Sequence, residues 1–104
     1  MLFNIGYSEE SRVRVCVTGV DSGAQSLPGL KQILIKLHQE GRIHQVLDLQ
    51  YCQELDEMGF SVLLIANRLC RNSGGSFILV GVNESMRNCI KKYQLERVLV
   101  IGDS

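Results

Sequence analysis

The sequence predicts an α/β fold: a mainly parallel sheet of about five strands packed with helices, in the order β-β-α-β-α-β-α-β. Three observations carry this. Val13, Val15 and Val17 alternate with Arg12, Arg14, Cys16 and Thr18, the period of two that puts one face of a strand in a core. Leu27, Leu30, Ile33, Leu34 and Leu37 instead recur at helical spacing. Two short apolar runs, Val46-Leu47-Asp48-Leu49 and Phe77-Ile78-Leu79-Val80, each stand between helical patterns. Strands that alternate with helices favour a parallel sheet with right-handed crossovers.

The remaining elements follow in chain order. Met1 to Tyr7 has enough apolar character for a short edge strand, and Ser8-Glu9-Glu10-Ser11 reads as a polar turn. Gly19-Val20-Asp21-Ser22-Gly23 breaks the second strand with a loop. Ser26 reads as the N-cap of the first helix, with Pro28 in its first turn and Gly41 at its end. Lys31, Lys36, His38 and Gln39 form its solvated side. A second helix spans about Met58 to Asn72, with an apolar face of Val62, Ile65, Ala66, Leu69 and Cys70 widened by Phe60, Leu63 and Leu64. Asn72-Ser73-Gly74-Gly75 is a turn, and Phe77 to Val80 reads as a strand in the middle of a covered sheet. Asn83 caps a third helix carrying Met86, Cys89, Ile90 and Tyr93 on one face. Val98-Leu99-Val100-Ile101 is the last strand.

Composition narrows the function classes. At 104 residues the chain is expected to be one domain, 1–104, and its 45% apolar and 21% charged content is that of a globular protein. Eleven basic and eleven acidic side chains cancel, which leaves no electrostatic footprint for nucleic acid. No apolar run approaches a membrane span, so no membrane insertion is expected, and the first residues lack the pattern of a signal peptide. Cys16, Cys52, Cys70 and Cys89 form no Cys-x-x-Cys pair, and His38 and His44 are not at ligand spacing from them. No metal or cofactor is expected. Most of these cysteines fall at apolar positions, which with the missing leader points to a reducing cytoplasm.

The stretch from Gln45 to Gly59 draws the functional question. It runs from the strand at Val46-Leu47-Asp48-Leu49 through a polar connection to Leu55-Asp56-Glu57-Met58-Gly59, where the second helix begins. Asp56 and Glu57 are adjacent, so their side chains diverge and make a poor general acid/base pair. No phosphate-cradling glycine motif occurs, since Gly74-Gly75 precedes a strand, and nothing local supports a Cys/His nucleophile. These residues speak against an enzyme and for a binding surface.

The run Val46-Leu47-Asp48-Leu49, a short linker, then Leu55-Asp56-Glu57-Met58-Gly59-Phe60 and an apolar helix resembles the STAS domain, best known from bacterial anti-sigma factor antagonists. Gly19-Val20-Asp21 resembles the family's Gly-x-x-Asp loop, one residue shorter. Gly74-Gly75-Ser76-Phe77-Ile78-Leu79-Val80-Gly81-Val82 resembles its glycine turn, fourth strand and following loop. The resemblance implies a non-enzymatic cytoplasmic switch in bacterial signal transduction and transcription regulation. In the family the helix opens Asp-Ser-x-Gly, and the serine is phosphorylated by a partner serine kinase with a histidine-kinase-like ATPase fold, often itself the anti-sigma factor. A PP2C-type phosphatase reverses the mark. A phosphate is tolerated at a helix N-terminus, where free N–H groups and the dipole meet it, and its charge changes what docks there.

This chain departs at the switch position, where Glu57 stands for the phosphorylated serine. A glutamate in the first helical turn is a good helix starter in any protein. In this family it also places a fixed negative charge where relatives add and remove one, whether as a natural non-switching member or as a replacement of serine that mimics phosphorylation. The resemblance implies a partner-binding surface of Asp21, Asp56, Glu57, Met58, Gly59, Phe60 and Leu63, with Phe60 and Leu63 also suited to the core. The short end after the fifth strand, with Gly81-Val82-Asn83 and Tyr93-Gln94-Leu95, also resembles the small STAS subunit of bacterial phospholipid-transport ABC complexes. That is the alternative reading, a structural subunit and not a switch.

Overall fold

The structure, a computed structural model, describes residues 2–9, 11–19 and 24–102. Strand β1 (Leu2–Glu9) runs antiparallel to β2 (Arg12–Thr18). A two-residue strand β3 (Ala24–Gln25) leads to helix α1 (Leu30–Gln39) and strand β4 (His44–Asp48). Another short strand, β5 (Glu54–Leu55), delivers the chain to helix α2 (Glu57–Asn72). Strand β6 (Ser76–Val80), helix α3 (Glu84–Lys92), a 3-10 turn at Leu95–Arg97 and strand β7 (Val100–Ile101) complete it. The main sheet has the order β1-β2-β4-β6-β7, with every pair but the first parallel. The α/β architecture and the order of its main elements match the sequence expectation. The short pair β3 and β5 was outside it.

Strand periodicity sorts the sheet into two unlike faces. Val13, Val15 and Val17, with Gln45, Leu47, Phe77 and Leu79 in register beside them, are buried against the helices. Leu30, Leu34 and Leu37 of α1, Val62, Leu63, Ala66 and Cys70 of α2, and Met86 and Ile90 of α3 fill the other side of that core. The opposite sheet face carries Arg14, Val46 and Ile78 in one row, the last two only half-buried. Phe77 to Val80 is therefore central in the sheet but covered by helices on one face, not both. On the second face Asp48 is nonetheless buried, because Arg14 (2.8 Å) and both the backbone and side-chain N–H groups of Gln50 (3.0 Å each) satisfy its carboxylate.

Several boundaries moved for identifiable reasons. Ser26 is not a helix cap. Leu27 precedes Pro28, which disfavours the helical region, and it sits at φ 55°. Gly29, at φ 83°, takes the N-cap position in a left-handed conformation, and the helix starts at Leu30. Asn83 caps α3 as expected, its Oδ1 accepting from the Met86 N–H at 2.8 Å. Tyr93, expected on the apolar face of α3, is the C-cap and is 61% exposed. The first strand continues through Glu9, into the expected polar turn, and the last is confined to two residues. His38, placed on a solvated helix side, bonds the Ser73 hydroxyl at 2.7 Å and ties the end of α1 to the cap of α2.

Candidate functional site

The N-terminus of α2 is positioned by the small β3–β5 pair. Gln25 lies beside Leu55 in parallel register, and the Asp56 N–H donates to the Gln25 carbonyl at 3.0 Å. Asp56 is the N-cap, in extended conformation, and its Oδ1 accepts from the Gly59 N–H at 2.8 Å. Its Oδ2 accepts from the Ser26 hydroxyl. The Ser26 hydroxyl first, and then the Gly59 N–H, hold the Asp56 carboxyl below the usual carboxylate range. Ser26 thus caps no helix of its own and instead fixes the cap of another.

Gly59 completes the junction. A Cβ there would lie 2.5 Å from the Gln25 carbonyl oxygen and 3.3 Å from the Leu55 side chain. Only a residue without a side chain lets the first turn of α2 press against β3. The result is a closely packed platform from which the next side chains project. Glu57 is exposed in the first turn of the helix, and its carbonyl accepts from the Ser61 hydroxyl at 2.9 Å. Met58 is 69% exposed, high for a large apolar residue.

The sequence-derived site residues are partly brought together. Asp56, Glu57 and Met58 share the helix start, with Gly59 buried beneath them and Phe60 half-buried. Leu63 has to be corrected: it is 0% exposed, part of the core under α2, and offers a partner no surface. The reason is helical phase, since Leu63 shares the inward side with Gly59, Val62 and Ala66. Asp21 lies outside the described residues.

Leu64, not Leu63, supplies the apolar margin. A groove of about 490 Å³ runs beside the helix start, with Asp56, Glu57 and Ser61 on one side and Phe60 and Leu64 along it. Cys89, Tyr93 and Leu95 form the wall contributed by α3 and the turn after it. Sequence reading did not place Ser61, Leu64, Cys89, Tyr93 or Leu95 at the site. The one available signal was Leu27-Pro28, which argued against Ser26 as a helix cap and left its hydroxyl for another partner. Among the described residues no group of three His, Cys, Asp or Glu side chains could hold a metal ion, and no helix is long and apolar enough to cross a membrane.

The model of the STAS domain family matches residues 24–104. The chain belongs to the STAS domain family. Its fold is the α/β STAS fold, a five-stranded mostly parallel sheet with three helices. The NMR structure of the protein TM1081 is similar with a TM-score of 0.82 and 19% identity, over 100% of this chain and 82% of that one. The crystal structure of TM1081 from Thermotoga maritima, a candidate anti-sigma factor antagonist, is similar with a TM-score of 0.74 and 19% identity, over 98% and 86% of the two chains. At that identity the likeness concerns the fold. No curated protein matches the chain in sequence.

Proposed function

We propose that this STAS domain is a regulatory binding module of the anti-sigma factor antagonist type, acting by partner switching, with Glu57 holding a permanent negative charge at the position relatives phosphorylate. The observation that carries the reading is the start of α2. An aspartate cap fixed by Ser26 and Gly59 presents Glu57 and Met58 to solvent beside an apolar groove. Such a platform suits docking: it mixes the acidic charge of Asp56 and Glu57 with apolar surface, and a change of charge there alters binding without disturbing the core. The partner surface is proposed as Asp56, Glu57, Met58 and Phe60, with Asp21 carried over from the family motif and Leu64 and Tyr93 added from the groove. The proposed partners are a serine kinase with a histidine-kinase-like ATPase fold, acting as the anti-sigma protein, and a PP2C-type phosphatase.

The test is titration calorimetry of the kinase-type partner against the parent chain, Glu57→Ser and Glu57→Ala. Both variants should bind at least about tenfold tighter, a gain of roughly 1.4 kcal/mol from removing one unfavourable charge. Glu57→Ser should in addition accept phosphate from the kinase and then bind as weakly as the parent. Equal affinity across the three proteins would remove Glu57 as a switch position. Capture of an ATP-binding-cassette subunit in place of the kinase would favour the structural-subunit reading.

A further inference from the structure

The edge of the main sheet formed by β1 is long, uncharged from Leu2 to Ser8, and unpaired on its outer side among the described residues. β1 is first in the strand order, so one side of it pairs with β2 and the other faces no strand among the described residues. The opposite edge, β7, is only two residues long. From Leu2 to Tyr7 the strand reads Leu-Phe-Asn-Ile-Gly-Tyr, with no proline, lysine or other charge. The one irregularity in its pairing lies between Tyr7 and Glu9, at the far end. These are the protective devices that edge strands ordinarily carry, and this stretch lacks them.

Register shows which side chains the edge presents. Phe3, Ile5 and Tyr7 pair with Val17, Val15 and Val13, so they lie on the helix-covered face of the sheet. Phe3 packs on the core, but Ile5 is 38% exposed and Tyr7 56% exposed. The Arg42 guanidinium lies 4.5 Å from the Tyr7 ring centre and holds it in place. A row of apolar side chains therefore runs off the core and ends at an open strand edge.

We infer that this edge is a self-association site, at which β1 pairs antiparallel with β1 of a second copy to join two five-stranded sheets into one. The occupant follows from self-complementarity. A twofold axis through Ile5 sets Ile5 opposite its own counterpart and Phe3 opposite Tyr7 of the other copy, all on one face, since directly opposed residues share a face. Residues 2–8 contain no charge to oppose its like, and the chain's charges cancel overall, so two copies meet without net repulsion. One strand pair buries less than a standard interface, so the association is reversible and concentration-dependent. It uses none of the residues assigned to the α2 platform and is independent of that reading.

Sedimentation equilibrium on the whole chain, from micromolar to millimolar concentration, reads this directly. The mass should rise from 11.6 kDa toward twice that value. Ile5→Lys, which turns a charge inward at the edge, should stay at the monomer mass throughout while keeping the parent's circular dichroism. Should that variant not fold, amide hydrogen exchange of the parent decides, because alternate β1 amides should gain protection only as concentration rises. A constant monomer mass, self-association that survives in folded Ile5→Lys, or β1 exchange insensitive to concentration each overturns the inference.

Discussion

Gly59 shows how a single residue decides what the helix start can be. In an exposed helix interior, glycine to alanine adds roughly 1 kcal/mol of stability. Here the added Cβ meets the Gln25 carbonyl oxygen at 2.5 Å, so Gly59→Ala should lower stability by about 1–3 kcal/mol, read from urea unfolding. Asp56 makes a prediction about pH. Its carboxyl is held below the usual range in the folded chain by Ser26 and Gly59 and takes an ordinary value of about 3.9 when unfolded. A depressed folded pKa stabilises fully above the unfolded value and less as pH falls through the folded one. Urea midpoints should therefore drop more steeply in acid for the parent than for Asp56→Asn, which keeps a capping oxygen but does not titrate. Parallel curves for the two proteins would show that ionisation of Asp56 is not linked to folding.

At the scale of elements, α2 separates two roles that its apolar composition blurs. The inward side, with Leu63 wholly buried, holds the core, while Met58 and Glu57 face out at the helix start. Leu63→Ala should cost about 2–5 kcal/mol of stability and leave partner affinity of the folded fraction unchanged. Met58→Ala should do the reverse, with little effect on a thermal melt and a measurable loss of binding. The cysteines divide in the same way. Burial pushes the Cys52 and Cys70 thiols up to about 11, so at neutral pH both are protonated as well as covered. A maleimide reagent should modify Cys89, half-buried in the groove, well before either of them. A bound partner should slow that modification, which makes Cys89 a native reporter of the groove.

For the whole molecule, the two-layer arrangement puts the three helices on one side of the sheet, and beside the open sheet face two further surfaces differ in character. One is the α2 platform with its groove, where the β3–β5 pair, a helix start and a third helix converge. The other is the β1 edge, where the sheet simply stops. A chain with no net charge has little long-range steering, so short-range complementarity at these surfaces has to set partner choice. Binding at the platform should therefore depend only weakly on salt, apart from the local contribution of Asp56 and Glu57.

Much of this was legible in the residues because it rests on local periodicity. Val13, Val15 and Val17 name the buried face of a strand, Asn83 names a cap, and Asp56 to Gly59 mark the start of a helix. Each of these depends on interactions within a few residues, so each is written in short segments of sequence. What the tertiary structure alone decided depends on contacts between distant segments. Ser26 bonds Asp56 across 30 positions, Gly59 is required by a carbonyl on another strand, and Tyr93 joins Phe60 in one groove. Leu63 and Leu64 are neighbours of equal hydrophobicity, and only the phase of the helix against the sheet buries one wholly and leaves the other half-buried along the groove. Sequence by itself determined the fold class and where the acidic helix start lies; packing decided which of its residues a partner can touch, because exposure belongs to the assembled chain and to no residue alone.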